Sequence, residues 1–303
     1  MKILILGYSN IVRKRILNVV NTKVNRIFVA TKSYKNKIIN IEKKYNSYEK
    51  ALNECKPNLV YISLPNSKHY YWAKKSLNLG IHTIVDKPIT SNLTELLDLI
   101  NISKKKKRLL SESTFYNYHS QFKRFKELIN QKNYKKIEAK FIIPMPKKRS
   151  ILVSKKLCGG VLMDMGPYIS SIPRIFNMKN ILKRKINIRK NKKNLIISII
   201  FNIKFKNGVY NGKFSFGGNY CNQLKITQNK NYTQIKRVFS PPDDEVLFIK
   251  YLKNKKLSQI KIKKDNCFKN FYFEIKNKIK TKKIDFYYER MKYDCLFRSL
   301  FIK

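Results

Sequence analysis

Apolar residues recur along this chain in two rhythms, and the change from one to the other falls near residue 118. In the first part, short continuous apolar runs alternate with segments of helical spacing. The runs "KILILG" (2–7), "RIFVAT" (26–31), "NLVYISLP" (58–65), "HTIVDKP" (82–88) and "RLLSEST" (108–114) predict five strands. Between them, the segment ending at Val20, "KNKIINIEKKY" (35–45), "HYYWAKKSLNLG" (69–80) and "TELLDLINISKK" (94–105) predict helices, with Gly80 as a stop signal. Continuous apolar strands separated by helices are the pattern of a parallel sheet covered on both faces. Strand ends at Gly7, Leu64–Pro65, Asp86–Lys87 and Glu112 would then share one carboxyl edge, where such sheets bind ligands.

The later part reads differently. After a helix near 120–131, "IEAKFIIPM", "NLIISIIFNIKF", "GVYNGKFSFG", "NQLKITQ" and "YTQIKRVFS" alternate or run apolar at strand length, with Gly and Asn at the turns. A helix is expected over "GGVLMDMGPYISSIPRIF" (159–176), with Pro167 near its first turn or kinking it. "NFYFEIKNKIK" and "YYERMKYDCLFRSLF" read as helices returning to cover the structure. The expectation is an α/β chain: a doubly wound parallel domain over 1–117, then an α+β domain over 118–303 with a large, mostly antiparallel open sheet. No internal repeat is visible.

Composition narrows the class. A chain of 303 residues with 43% hydrophobic residues, 19 Tyr and 18 Phe can build real cores. No apolar run approaches the roughly 20 residues that span a bilayer. The start "MKILILGYSN" reads as a buried strand entering a turn, not a secretory leader. Five scattered cysteines without a C-x-x-C pair argue for a reducing compartment, so the cytoplasm is expected, without disulfides or a metal site. The formal charge of +49 predicts attraction to polyanions. Only 12 of the 67 basic residues are Arg, however, and the Lys excess accompanies abundant Asn and Ile along the whole chain. Codon bias accounts for that better than a dedicated nucleic-acid face does, and no nucleic-acid motif is present.

Candidate chemistry begins at "GYSNIV" (7–12). A dinucleotide fingerprint would place glycines at three positions here; Gly7 is kept, while Ser9 and Val12 occupy the other two. Backbone N–H groups of Tyr8, Ser9, Asn10 and Ile11 at a helix start could still hold a pyrophosphate. After the second strand, an NAD site usually offers a carboxylate to the ribose 2′-hydroxyl. Here stand Thr31, Lys32 and Ser33, which favours NADP(H) over NAD(H).

The stretch "YISLPNSKHYYWAKKSLNLGIHTIVDKPI" (61–89) resembles the glucose–fructose oxidoreductase / inositol dehydrogenase / rhizopine-catabolism family (Gfo/Idh/MocA). That family's pattern is an apolar strand, P-N-x-x-H, a helix, G-x-H, and a strand ending E-K-P. Pro65, Asn66 and His69 match its first part; Gly80, His82, Lys87 and Pro88 match its second, with Asp86 in place of Glu. The resemblance continues at "YNYHSQF" (116–122), where Asn117 and Ser120 depart from it, and at "GGVLMDMGPY" (159–168).

The resemblance implies a Rossmann domain followed by an open-sheet domain, with Leu64, Pro65, Asn66, His69, Asp86, Lys87 and Pro88 around the cofactor. Lys87 would contact the reacting oxygen and the nicotinamide ribose. Asp164 would position a substrate hydroxyl, and Tyr168 takes the place where many relatives have a catalytic His. Asn117 would also meet substrate. Hydride delivery to a ketone leaves an alkoxide that needs a proton and nearby positive charge. A Tyr hydroxyl can donate that proton, and a Lys ammonium beside it would lower its pKa. Asp164 and Tyr168 are four apart and share a helix face. The alternative for Tyr168 is a core aromatic.

The implied substrate is a sugar, cyclitol or nucleotide-linked sugar. A ketoreductase of surface-polysaccharide or deoxysugar synthesis is the expectation, along with a homo-oligomer associating through the C-terminal sheet. Alternatives are a catalytically silent cofactor-binding regulator and a polyanion-binding protein. His82 and His119 read as structural, and "DDE" (243–245) as the acidic start of a helix.

Overall fold

The computed structural model describes residues 1–20, 23–32, 34 and 36–302, and the chain divides into two compact units. The first comprises Met1–Thr114 and Phe268–Cys295; the second comprises Phe115–Cys267 and Leu296–Lys303. The return of Phe268–Cys295 to the first unit is a feature that two contiguous segments do not contain.

Six parallel strands form the first unit's sheet: β1 (Lys2–Leu6), β2 (Arg26–Ala30), β3 (Lys43–Tyr45), β4 (Leu59–Ile62), β5 (His82–Val85) and β6 (Leu110–Glu112). Their order is β3-β2-β1-β4-β5-β6. The chain therefore winds outward from β1 to β3, then crosses back to β4 on the other side of β1. A doubly wound sheet opens its ligand crevice at that reversal, beyond the carboxyl ends of β1 and β4. Leu4, Ile5, Leu6, Val60, Ile62 and Val85 are fully buried, as strands covered on both faces require. The helical segment α1 combines a π-turn, Val12–Ile16, with a single α-turn, Leu17–Val20. Helices α2 (Tyr48–Cys55), α3 (His69–Asn78) and α4 (Leu93–Lys106) follow. Ser47 caps α2 by accepting from the Lys50 N–H, and Asn92 caps α4 by accepting from the Glu95 N–H.

The expected helix over 35–45 is not formed. Its described residues run through turns into β3, where Phe28 pairs with Lys43 and Ala30 with Tyr45. Ile38 and Tyr45 are buried while Ile39 is 76% exposed. Pairing with the free edge of β2 supplies backbone partners that outweigh the weak helical spacing of this segment.

An eight-stranded sheet builds the second unit, with strands β7 (Lys135–Ile143), β8 (Ile181–Lys190), β9 (Ile196–Phe205), β10 (Gly208–Phe216), β11 (Cys221–Gln228), β12 (Asn231–Lys236), β13 (Leu247–Lys253) and β14 (Lys256–Ile262). The order is β14-β13-β12-β11-β7-β10-β9-β8, antiparallel except where β7 meets β10. Helices α5 (Ser120–Glu127) and α6 (Val161–Ile175) complete it. Phe201, Phe205, Tyr210 and Phe214 are buried on one side of the sheet, whereas Ile200, Asn202 and Lys204 alternate to the exposed side. Pro167 and Pro173 both lie inside α6, so the proline expected near its first turn sits deeper. The Ser171 hydroxyl donates to the Pro167 carbonyl at 2.7 Å.

Helices α7 (Cys267–Lys280) and α8 (Tyr288–Ser299) follow the second sheet. The Asn25 amide donates to the Tyr272 hydroxyl at 2.8 Å, and Ser103 and Tyr288 pair through their hydroxyls at 2.6 Å. Phe271, Tyr272 and Ile275 are buried, each such side chain contributing roughly 1.5–3 kcal/mol.

Candidate active site

β1 ends at Gly7, whose N–H donates to the Ala30 carbonyl at 2.9 Å. Its φ is +96°, and a Cβ on this residue would lie 2.2 Å from the Ser63 carbonyl oxygen. Only glycine permits β1 and β4 to approach so closely here. Ser9 follows, its carbonyl accepting from the Arg13 N–H at 3.0 Å and its hydroxyl from the Val12 N–H at 3.3 Å. A tight glycine turn leading into a helical start, at the reversal of strand order, suits a dinucleotide pyrophosphate. Tyr8 and Tyr34 pack with ring centroids 4.6 Å apart, and the Arg13 guanidinium lies 5.7 Å from the Tyr8 ring. Burial and the neighbouring Tyr34 raise the Tyr8 phenol above its ordinary range, with Arg13 opposing. Asn10 is exposed and accepts from Arg13; Ile11 is half-buried.

At the end of β2, Thr31 is buried and its N–H donates to Tyr45 at 2.9 Å. Lys32 is exposed, its ammonium 5.4 Å from the Tyr48 ring. Ser33 lies outside the described residues.

The loop after β4 carries Leu64, Pro65 and Asn66, all half-buried, into a single 3-10 turn, Asn66–Lys68, and then α3. His69 opens α3 fully buried. Its Nδ1 lies 2.8 Å from the Pro88 carbonyl and its Nε2 2.8 Å from the Leu64 carbonyl. The imidazole thus joins the loops that leave β4 and β5.

Asp86 ends β5 with its N–H donating to Ile62 at 2.9 Å. Three hydroxyls surround its carboxyl group: Tyr61 and Ser63 donate to separate oxygens, and Ser113 donates to Oδ1 at 3.0 Å. Burial and the Asp86 charge hold the Tyr61 phenol well above its ordinary range, so it stays a donor. Lys87 comes next, half-buried, and is joined to Pro88 by a cis peptide. The following N–H, of Ile89, donates to Glu112 Oε2 at 2.9 Å, while Thr114 donates to Oε1 at 2.7 Å. His69 on the Pro88 carbonyl and Glu112 on the Ile89 amide fix the backbone that presents Lys87.

In the second unit, Gly160 has φ +100° and precedes α6, whose first turn contains Asp164. Asp164 and Tyr168 are both half-buried. The Tyr168 ring stacks on Phe239 at 5.1 Å and meets Tyr116 edge-on at 5.7 Å. Tyr116 pairs with the Ser171 hydroxyl at 2.7 Å. Asn117 is half-buried, with its Oδ1 buried and lacking a hydrogen-bond partner among the described residues.

His82 accepts from the Leu109 N–H at 2.9 Å, and burial with nearby Arg108 pushes its pKa down to about 4. His119 caps α5 by accepting from the Gln121 N–H at 3.1 Å, and burial lowers its pKa. Each thus makes a backbone contact. The "DDE" segment does not start a helix: it forms a bend before β13, with Asp243 accepting from Asn266 at 3.2 Å. The β13–β14 hairpin takes the chain that follows, so the local acidic run has no helix to cap. Among the described residues, no three His, Cys, Asp or Glu side chains gather as a metal site, and no helix is long and apolar enough to cross a membrane.

Sequence reasoning missed the hydroxyl cage of Asp86, the Glu112 brace and the Phe239 platform under Tyr168. Glu112 and Ser113 carried a weak signal as the end of a carboxyl-edge strand. Tyr61, Ser63 and Phe239 carried none.

Residues 1–114 match the family model described as "Oxidoreductase family, NAD-binding Rossmann fold". Over this segment, the chain is similar to oxidoreductases of the Gfo/Idh/MocA family. Among curated proteins, it is 29% identical over 135 residues to D-xylose 1-dehydrogenase (NADP(+)) 2 of Haloferax volcanii, covering 44% of this chain and 42% of that one. It is 27% identical over 124 residues to dTDP-3,4-didehydro-2,6-dideoxy-alpha-D-glucose 3-reductase of Streptomyces violaceoruber, covering 40% and 36%. The matched segment thus spans less than half the length of these relatives.

Solved structures extend the likeness in fold to nearly the whole chain. A 3-ketoreductase from Actinomadura kijaniata, crystallised with NADP and TDP-benzene, has a TM-score of 0.86 at 15% identity, covering 97% of this chain and 94% of that one. An aldose-aldose oxidoreductase from Caulobacter crescentus has a TM-score of 0.82 at 14% identity, covering 99% and 96%. At such identities the likeness speaks to fold alone.

Proposed function

We propose that this protein is an NADP(H)-dependent oxidoreductase that reduces a ketone of a sugar, cyclitol or nucleotide-linked sugar, most naturally in surface-polysaccharide or deoxysugar synthesis. The observation that carries the reading is the presentation of Lys87. It stands at the carboxyl end of β5, with His69 and Glu112 fixing the backbone after it and Asp86 caged before it. The N-terminal family match supports nicotinamide chemistry. The NADP(+) in the name of the Haloferax relative and the nucleotide-linked substrate of the Streptomyces relative support the finer choices.

The residues present fit such a cofactor. Residue 7 tolerates no side chain, so the turn stays open to a pyrophosphate. Lys32 offers a cation and no carboxylate where a 2′-phosphate would lie. When bound, a reduced nicotinamide supplies hydride to the carbonyl carbon. The Lys87 ammonium then stabilises negative charge growing on the substrate oxygen. The Tyr168 hydroxyl, whose ring is held by Phe239 and Tyr116, donates the proton that completes the alcohol. Asp164, one turn earlier on α6, accepts from a neighbouring substrate hydroxyl and orients the ring. Asn117 adds a second polar contact through its unpartnered Oδ1.

Self-association through the uncovered face of the eight-stranded sheet belongs to this reading. Ile200 is 45% exposed there and Leu257 62%, both available to a second copy. The same face places Lys213 between Ile200 and Lys140 across β9, β10 and β7. Assembly through it should therefore strengthen as salt screens these lysines.

Fluorescence titration with NADPH, followed by a panel of ketosugars free and nucleotide-linked, tests the proposal. Saturable binding and substrate-dependent loss of NADPH are expected. No binding at millimolar NADPH would overturn it, and binding without turnover across the panel would favour the cofactor-binding regulator.

A further inference from the structure

Ser9 stands where the dinucleotide fingerprint has its second glycine, and the structure gives its hydroxyl a defined task. Ser9 Oγ lies 2.8 Å from Ser63 Oγ, which in turn donates to Asp86 Oδ2. A carboxylate only accepts, so the single proton of Ser63 points to Asp86. Ser63 must then accept from Ser9, and Ser9 accepts from the Val12 N–H at 3.3 Å. The direction of every link follows: Val12 amide to Ser9, Ser9 to Ser63, Ser63 to Asp86. The chain crosses the reversal point of the sheet, starting in the turn after β1, passing the end of β4, and finishing beside Lys87 at the end of β5.

Among the described residues, no other side chain bonded to Asp86 reaches the glycine turn. Tyr61 and Ser113 approach its other oxygen from β4 and from the residue after β6. A glycine at position 9 would leave Ser63 without its donor and would cut the turn off from Asp86. Ser63 itself is 6% exposed, so solvent would not readily replace the missing partner.

We infer that Ser9 is a positioning residue that couples the phosphate turn to the Asp86–Lys87 strand end through Ser63. The inference rests on the reading that residues 7–12 take the cofactor's pyrophosphate. A phosphate entering the turn draws on the same Ser9 hydroxyl that steadies Asp86, so cofactor binding and the setting of Lys87 share one hydrogen-bond chain. The serine is thus a connection and not an eroded glycine.

The test is a double-mutant cycle on the full chain, read by NADPH fluorescence titration. Ser9→Ala and Asp86→Asn are measured singly and together, then repeated in a Ser63→Ala background. The two substitutions do not touch, so independent sites would give effects on Kd that multiply. Coupling predicts a departure from the product of about five-fold or more, which disappears without Ser63. Ser9→Thr, which keeps the hydroxyl, should retain wild-type affinity within about two-fold. A second measurement needs no cofactor: amide hydrogen exchange in Ser9→Ala should quicken at Ser63 and Asp86 while α2 stays unchanged. Multiplying effects in a chain that binds NADPH, or unchanged exchange at those two amides, overturns the inference. A wild-type chain that binds no NADPH instead defeats the cofactor reading, a separate and recognisable outcome.

Discussion

The His69 imidazole ties Pro88 to Leu64: one ring nitrogen lies 2.8 Å from each carbonyl, and the ring is fully buried between them. Two loops that leave different strands therefore share one anchor, just after Lys87. His69→Ala removes the ring that lies against both carbonyls and leaves a buried void between the two loops. A loss of about 2–4 kcal/mol in urea unfolding is expected. NADPH affinity should fall with it, because both loops border the crevice proposed for the cofactor. A variant as stable as wild type would show that the loops hold their places without the histidine.

Gly7→Ala tests the close approach of β1 and β4. The added methyl would sit 2.2 Å from the Ser63 carbonyl, on a backbone at φ +96° that an L side chain rarely adopts. Either the strands part or the turn rearranges, at a cost of at least about 2 kcal/mol. Thermal unfolding and NADPH titration should both register it, whereas Gly80→Ala, with only the Arg108 side chain 4.0 Å away, should be milder.

Proton binding at His82 sets a stability slope in mild acid. Its pKa is about 4 in the fold against an ordinary 6.5, chiefly through burial and then through Arg108. The unfolded chain therefore takes up a proton below pH 6.5 that the folded chain refuses. The contribution is complete above that pH and disappears as pH falls toward 4. By pH 5 the loss should be about 1 kcal/mol, after discounting for a partly exposed ring. His82→Gln keeps an acceptor for Leu109 and should flatten the wild-type slope between pH 7 and 5. Parallel slopes in the two proteins would assign the effect elsewhere.

Turnover should separate from cofactor binding at Lys87 and Tyr168. Lys87→Met is expected to lose activity by about 10²–10³-fold, and Tyr168→Phe by about 10²–10⁴-fold, while both still bind NADPH and unfold cooperatively. Stopped-flow single turnovers on a substrate found in the panel would measure it. Wild-type rates in Tyr168→Phe would make that ring a packing residue on Phe239.

Thiol chemistry should distinguish the cysteines. Burial pushes the Cys55 thiol up to about 11, with Lys2 and Arg26 offsetting only part of the rise. At pH 8 its alkylation should lag far behind that of half-buried Cys158 and Cys221 in the native chain, and catch up in urea. Mass spectrometry of iodoacetamide adducts would show the order.

Continuous apolar runs made β1, β2, β4, β5 and β6 readable, because strands buried on both faces leave no room for lysine. The signal failed where a strand has one wet face in a lysine-rich chain. "ILKRKINIRK" forms β8, yet its exposed positions are filled with Lys and Arg, and β13 and β14 are masked in the same way. β3 was hidden because three residues pairing with an edge leave no periodic trace. Lys87 was legible through its spacing from Pro65, Asn66 and His69. Its supports were not, since Tyr61, Ser63, Glu112 and Ser113 meet only after β4, β5 and β6 are side by side. Nor did the sequence single out Lys135, which is fully buried and donates to Gln131 at 2.7 Å and Asn133 at 3.1 Å.

The return of Phe268–Cys295 to the first unit carries a consequence for synthesis. Tyr272 holds Asn25, Tyr288 holds Ser103, and Phe268 lies 5.7 Å from the Arg15 guanidinium. On the ribosome, residues 1–114 emerge long before these partners exist. The nascent parallel sheet must wait, with that flank bare, until the whole of the antiparallel sheet has been translated. The unit that begins first is completed only after nearly all of the second has been made.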